Sequence, residues 1–167
     1  MSTILIIGVV FLYLCLVYFT PKRILDLTDG SDYLTRYFLF RSPWLNVFLH
    51  HIHREDKDRH PHNHPWPWSY SLILRGGYCE RRYTTRGVPI GGMNIYSRGS
   101  LNNLTEAAYH RIVAVLPNTL TLFVAGRYSA RWGFNVNGDH VDAEDYLGPS
   151  FKPSRALPKR EIPNEVA

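Results

Sequence analysis

Two histidines one residue apart, His62 and His64, lie in the stretch RHPHNHPWPW, and a third, His110, opens a later apolar run. In an extended chain, residues i and i+2 point to the same face of a sheet, so both imidazoles of the pair can approach one ion. Imidazole nitrogens bind divalent transition metals at about 2 Å. A third inward imidazole from a facing strand completes a three-histidine site with open coordination positions. The pattern therefore predicts a metal site made by His62, His64 and His110.

Three further polar residues are candidates for roles around this site. Glu80 follows a Gly-Gly turn and is predicted to be a fourth ligand or a base, unless it is only a strand residue paired with Arg82. Tyr70 shares the predicted face of the histidine pair and is a candidate to move protons or to orient a substrate. His50 shares a face with apolar neighbours and is predicted as an alternate ligand or a support for one. Glu80 and Tyr70 are therefore the catalytic candidates, and His50 is a secondary candidate.

The same alternation assigns faces to the whole segment from residue 60 to residue 74. The odd-numbered residues are short or polar apart from one isoleucine, so the even face is predicted to be buried. His60 is the exception, because it lies in a charged loop and is expected to be solvated. The alternative for the histidine pair is a polar loop that caps the mouth of a barrel. The predicted inward set is His62, His64, Trp66, Trp68, Tyr70, Leu72 and Leu74.

Short strands dominate the rest of the chain. Aromatic residues make up 14% of it, with 11 Pro and 12 Gly, a composition typical of β-rich folds with many turns. Apolar runs recur about every 8–12 residues, which indicates an all-β sandwich or barrel. A Gly76-Gly77 turn is predicted to join two strands as a hairpin. The predicted barrel covers residues 34–147, after a connector at 21–33 and before a Pro-rich C-terminal tail at 148–167.

Residues 1–20 form a separate hydrophobic segment, because residues 4–19 carry no charge. As a helix they span roughly 24 Å, so a single transmembrane anchor is predicted. Lys22 and Arg23 follow it, and the positive-inside rule then places the barrel on the cytoplasmic side of the membrane. A cleaved signal peptide and a buried element of the fold are the alternatives. The formal net charge of +5 is scattered, so nucleic acid is not an expected partner. The expected partners are the membrane, through residues 4–19, and an unknown small molecule.

The histidine spacing resembles the two short motifs of the cupin superfamily. His62 and His64 match the histidine pair of the usual first motif, G-x5-H-x-H-x3-4-E-x6-G, and Gly76 matches its last glycine. Gly99 and His110 match the usual second motif, G-x5-P-x-G-x2-H-x3-N. The resemblance covers about residues 33–135 and extends to small cupin-like proteins of bacteria and their phages. It implies a double-stranded β-helix (jelly-roll) barrel, here preceded by the N-terminal hydrophobic helix.

The chain departs from both motifs. The glutamate of the first motif falls on Trp68 or Ser69, so that ligand is missing, and the second motif lacks its Pro, Gly and Asn. Cupins without the glutamate can hold a metal with three histidines, as thiol dioxygenases do. The resemblance therefore implies a divalent metal, Fe(II) favoured over Zn, Mn or Ni, bound by His62, His64 and His110.

Two classes of function stay open at this point. The first is a metal-dependent enzyme, an Fe(II) oxygenase of a small molecule, in which Glu80 or Tyr70 handles protons or orients the substrate. The second is a non-catalytic, membrane-tethered binding or structural module that senses a ligand or uses metal only for stability. A metal-free cupin of the sugar-epimerase type is a third option and needs a histidine–carboxylate base pair. A homodimer is implied by the cupin resemblance alone.

Overall fold

The computed structural model describes residues 3–19, 22–25, 32–105, 108–129 and 132–148. Its helices are α1 (Thr3–Phe19) and α2 (Ala143–Leu147). Its strands are β1 (Lys22–Leu25), β2 (Asp32–Arg41), β3 (Asn46–Ile52), β4 (Ser69–Arg75), β5 (Gly77–Tyr83), β6 (Pro89–Ser97), β7 (Leu101–Leu104), β8 (Tyr109–Val115), β9 (Thr119–Ala125), β10 (Gly133–Val136) and β11 (Asp139–Asp142). The predicted all-β class is thus confirmed in its coarse form.

Within the described residues, the strands form antiparallel sheets. The large sheet has the strand order β1-β2-β3-β9-β4-β7, and the small sheet has the order β6-β5-β8. A separate hairpin pairs β10 with β11. The outer strand β1 falls in the segment predicted as a connector and pairs with β2.

The large sheet has one buried face, and polar side chains on that face form part of the interior. In β3 and β9, buried residues alternate strictly with more exposed ones, as expected of strands with one face on a core. The register aligns the inward residues of neighbouring strands in rows. One such row holds Arg36, His50, Thr121 and Ile73.

The core consists of two apolar clusters that flank this polar row. The first contains Leu34, Ile52, Ile73, Tyr78 and Ile112. The second contains Phe48, Trp66, Leu104, Phe123 and Ala125. The second cluster lies on the side of the three histidines, because Phe123 and Trp66 both contact the His64 ring.

The face assignment for β4 is wrong. Ser69, Ser71 and Ile73 are the buried residues of this strand, whereas Trp68, Tyr70 and Leu74 are 39%, 37% and 41% exposed. The physical reason is the bend at residues 65–67, which contains two prolines and breaks the extended conformation between His64 and the strand. Alternation therefore cannot be carried across it.

The predicted hairpin at Gly76-Gly77 is also wrong. β4 pairs with β7 and β9, whereas β5 pairs with β6 and β8, so the two glycines join strands of different sheets. Gly76 has φ of +70°, in the left-handed region that suits glycine. The chain passes close to Thr119 there, and the Thr119 hydroxyl binds both the N–H and the C=O of Gly77. This corner carries the chain from one sheet to the other.

Gly76→Ala is expected to destabilise the fold by about 2–4 kcal/mol. A Cβ at this position would lie 2.9 Å from Thr119 Cα and closer still to its hydroxyl, in addition to the left-handed strain. Gly91→Ala is the matched control, because Gly91 has φ of +59° but nothing within 4 Å of the added carbon. It should cost only the strain, about 1–2 kcal/mol. Urea unfolding measures both, and equal losses would contradict the close approach at Thr119.

The N-terminal segment forms α1 as a helix. Among the described residues, none of the helices is both long enough and apolar enough to cross a membrane. The predicted transmembrane span therefore finds no support. The predicted tail lies outside the described residues beyond Gly148.

Candidate metal centre

The histidine pair is carried by a short segment, residues 61–64, that inserts between β8 and β10. His62 and His110 exchange backbone hydrogen bonds in both directions, at 3.0 and 2.9 Å. On the other side, Asn63 N donates to Gly133 O and Asn135 N donates to Pro61 O. The segment thus acts as one more strand of the small sheet, and this pairing places His62 directly beside His110.

The structure brings His62, His64 and His110 together in one cluster. One ring nitrogen from each lies within 4.8 Å of the others. Nε2 of His64 and Nε2 of His110 are 2.9 Å apart, and the His62 and His110 ring centroids are 4.6 Å apart. Nitrogens this close can bind one ion at the usual bond length of about 2 Å. The donor set therefore fits a divalent transition metal.

Carboxylates lie on the far side of two of these rings. Nδ1 of His110 is 2.9 Å from Oε2 of Glu80, and Nδ1 of His62 is 3.8 Å from Oδ2 of Asp56. A hydrogen bond from His110 Nδ1 to Glu80 leaves Nε2 without a proton and directed at the cluster. Metal-binding histidines usually have such a carboxylate or carbonyl partner, which fixes the ring and its tautomer.

Glu80 is fully buried and its carboxylate is held from three sides. Arg82 Nε donates to Oε1 at 2.9 Å, and Asn102 Nδ2 donates to Oε2 at 2.8 Å, next to the bond from His110. Burial alone raises the pKa of Glu80, but attraction to His110 and these hydrogen bonds outweigh it and lower the pKa to about 2. Glu80 is therefore an ionised support of His110. It faces the opposite ring edge from the cluster, so it cannot share an ion bound at His110 Nε2.

Asp56 supports the other side of the cluster. Its Oδ2 accepts a hydrogen bond of 2.7 Å from the backbone N–H of Ile112 on β8, and its backbone carbonyl accepts from the guanidinium of Arg111. Asp56 is 4% exposed. The carboxylate thus ties the loop before the histidine segment to the same strand that carries His110.

Aromatic rings form one wall of the site. The His64 ring stacks on Trp66 with centroids 5.7 Å apart, and it also contacts Phe123 at 5.7 Å. Trp66 and Phe123 are 7% and 4% exposed. This wall excludes water from His64 and fixes the direction of its ring.

His62 and His64 are neutral at pH 7. Burial lowers the pKa of His62 to about 4, although Asp56 acts against this shift. Burial also holds the pKa of His64 well below its ordinary value, and the neighbouring His110 and His62 add to the effect. Neutral imidazole is the form that binds metal ions.

The metal-free protein should lose stability as the pH falls from about 6.5 to about 4. The unfolded chain protonates His62 near its ordinary pKa of 6.5, whereas the folded chain does so only near 4, so the unfolded state binds more protons within this window. A shift of this size corresponds to on the order of 3 kcal/mol. The stability that ionised Glu80 contributes is present above a pH of about 4.5. It is lost as the pH falls toward about 2, which is below that window.

Denaturant unfolding of chelator-treated protein at several pH values measures this loss. A His62→Gln variant should retain more of its stability across the window, because one of the titrating groups is gone. His53→Gln, at an exposed position, is the control and should behave like the unmutated chain. Stability that stays flat between pH 7 and 4, within about 0.5 kcal/mol, would contradict the burial of neutral imidazoles.

Two predicted site residues, Tyr70 and His50, are not members of the cluster. Tyr70 is on the outer face of β4, where its ring contacts Trp68, so the inward position predicted for it is wrong. His50 is buried, but its Nε2 accepts a hydrogen bond of 2.9 Å from Arg36 Nε and its ring stacks on Phe48 and Phe123. His60, expected to be solvated, is partly buried and lies 3.0 Å from the Tyr146 hydroxyl.

Sequence reasoning missed three residues of this interior: Arg36, Asp56 and Asn102. A signal for Arg36 was present, because it alternates with Leu34 and Phe38 on the apolar face of the strand TRYFLF. No comparable signal marks Asp56, which is one of three acidic residues in a charged loop. Asn102 on one sheet donates a hydrogen bond to Glu80 on the other, and alternation along a strand does not predict contacts between sheets.

No protein-family model matches this chain, and no curated protein matches it. Several solved structures are similar to it. A cupin-superfamily protein of Desulfitobacterium hafniense DCB-2 is 12% identical, with a TM-score of 0.45, over 56% of this chain and 77% of that one. KdgF of Halomonas sp. is 14% identical, with a TM-score of 0.44, over 59% of this chain and 84% of that one.

An Fe(II) form of HppE is 15% identical, with a TM-score of 0.48, over 64% of this chain. The chain spans about half of HppE, 56% of its length. At these identities, the metals and substrates of those proteins cannot be transferred to this chain. These similar structures include a cupin-superfamily protein, and the histidine motifs resemble those of the same superfamily.

Proposed function

We propose that this protein is a metal-dependent enzyme, an Fe(II) oxygenase of a small molecule, in which His62, His64 and His110 hold the ion inside a jelly-roll barrel. The observation that carries the proposal is the contact between Nε2 of His64 and Nε2 of His110, 2.9 Å apart, with Glu80 on the far nitrogen of His110. This contact accommodates either a shared proton or, when both nitrogens are unprotonated, a cation between them.

The donor set favours one class of ion. Three imidazoles suit a divalent transition metal and would leave coordination positions open for oxygen and substrate. Within that class, Fe(II) is preferred because the cupin resemblance implies it.

The residues of the chain have separate roles in this proposal. Glu80 holds the Nδ1 proton of His110 so that Nε2 is free, and Asp56 lies against Nδ1 of His62. Trp66 and Phe123 keep water from one side of the site. When bound, the ion would supply the activation of oxygen, which protein side chains cannot provide.

Metal content and oxygen uptake test the proposal together. The full chain, loaded with Fe(II) under anaerobic conditions and then dialysed, should retain about one iron per chain by elemental analysis. Oxygen consumption is then followed across a panel of thiols and 2-oxo acids. Retention of iron with turnover of one panel member supports the enzyme. A chain that retains no divalent metal refutes it, and retained metal without oxygen uptake favours the non-catalytic module.

The location of the protein stays a prediction. A hydrophobic N-terminal anchor through residues 4–19, with the barrel on the cytoplasmic side, follows from the sequence and the positive-inside rule. The possible homodimer likewise rests on the cupin resemblance.

A further inference from the structure

Arg36 is a cation on the inward face of the large sheet. It lies in register with His50, between the inward residues Leu34 and Phe38 of the same strand. Its Nε donates to His50 Nε2 at 2.9 Å, and its guanidinium lies over the Phe48 ring at 5.0 Å. The side chain is therefore held in one orientation from two sides.

No carboxylate compensates this charge among the described residues. The interior carboxylates have other partners, because Glu80 pairs with Arg82 and contacts His110, and Asp56 lies 3.8 Å from the neutral His62. Burial lowers the pKa of Arg36 to about 10, and the nearby Arg41 adds to the shift, yet the guanidinium stays charged at pH 7. Arg36 is partly buried, and such a charge without a counter-charge is costly, whereas a structural role would be filled as well by an apolar side chain.

Two further polar groups nearby lack a partner within the described part of the chain. The hydroxyl of Thr121, which pairs with His50 in the sheet, is fully buried and makes no hydrogen bond. The indole N–H of Trp66, a residue that is 7% exposed, is also buried and unpaired. Buried polar groups are normally satisfied, so these orphans mark a place where a ligand or water supplies the missing atoms.

The orphaned groups adjoin the three-histidine cluster. The ring of His50 and the ring of His64 both pack on Phe123, with centroids 5.0 and 5.7 Å from it. Arg36, Thr121 and the cluster therefore line one interior.

We propose that Arg36 binds the carboxylate of an organic-acid substrate that reacts at the three-histidine site, with Thr121 contributing a hydrogen bond. Nε of Arg36 is used by His50, and its two terminal nitrogens, which make no hydrogen bond within the described residues, form a planar fork that matches a carboxylate. An anionic substrate also offsets the uncompensated positive charge of the interior. This inference deepens the proposed oxygenase and rests on it for the reaction, although not for anion binding.

The test compares carboxylates with neutral molecules of the same shape. Propionate, hexanoate, their primary amides and methylphosphonate are titrated by NMR into the full chain, both metal-loaded and metal-free. Arg36→Gln should weaken carboxylate binding at least about tenfold without changing the metal content. Arg36→Lys keeps the charge but loses the planar pair of donors, so its affinity for carboxylates should lie between those of the unmutated chain and Arg36→Gln.

Thr121→Val is a second variant that does not depend on replacing a buried cation. Its hydroxyl makes no hydrogen bond among the described residues, so the isosteric change should leave stability unchanged or slightly raised while it weakens carboxylate binding. Unfolding midpoints of all variants are measured in parallel to show that each is folded.

The outcomes separate this inference from the proposed function. Equal binding of acids and amides, an Arg36→Gln variant as tight as the unmutated chain, or binding of methylphosphonate alone each overturns the carboxylate site, even where metal is retained. Arg36-dependent carboxylate binding in a chain that holds no metal supports the anion site and refutes the oxygenase.

Discussion

Replacing His64 with alanine is expected to abolish metal binding. Nε2 of His64 lies 2.9 Å from Nε2 of His110, and loss of the His64 ring leaves two imidazoles facing an enlarged space. Loss of a group that only supports a ligand costs about 10–100-fold in metal affinity, so loss of a ligand should exceed about hundredfold. Elemental analysis after dialysis, with calorimetric titration of the metal, measures the change.

His51→Ala is the matched control for this variant. His51 lies on the opposite face of β3 from the buried His50, and its ring contacts His53 outside the cluster. It should retain the metal content of the unmutated chain. A folded His64→Ala protein that keeps one tightly bound ion would show that the cluster is not the metal site.

Glu80→Ala is expected to cost about 3–5 kcal/mol of stability, the usual result of removing one partner from a buried ion pair. The change leaves Arg82, Asn102 and His110 with donors directed at an empty place in the interior. It should also lower metal affinity about 10–100-fold, because His110 loses the group that fixes its tautomer. Urea unfolding of the metal-free protein and metal titration measure the two effects separately.

Glu80→Gln and Glu55→Ala complete this comparison. The glutamine keeps the shape and one acceptor oxygen, so its loss of stability should be smaller than that of alanine. Glu55 is exposed in the loop before the histidine segment and should change stability by less than about 0.5 kcal/mol. A Glu80→Ala protein as stable as Glu55→Ala would contradict the buried network.

Short-range pattern predicted the β class and the three histidines, because both depend on local information. Alternation identified the buried faces of strands such as β3, and the His-x-His spacing survives in any extended segment. Where the chain turns, this information is lost. Alternation predicts an inward Tyr70 only if it is continued through Pro65 and Pro67. The bend there reverses the faces of the residues that follow in β4.

The supporting network could not be read from the sequence, since it depends on pairing between distant strands. Glu80 on β5 meets Asn102 on β7 across the two sheets, and its carboxylate meets His110 through the β5–β8 pairing. The predicted hairpin at Gly76-Gly77 would have placed β4 and β5 in one sheet. Only the crossover at that corner sets β5 opposite the large sheet and brings Glu80 within reach of Asn102.

The insertion of the histidine segment between β8 and β10 also has a topological consequence. His64 and His110 are 46 positions apart, and the chain between them runs through strands of both sheets before it returns. An ion bound by both residues would close that loop, as a disulfide closes one. A cross-link of this span lowers the entropy of the unfolded chain by an amount worth about 4 kcal/mol. An ion at this site would therefore also restrict the unfolded chain across a loop that contains strands of both sheets.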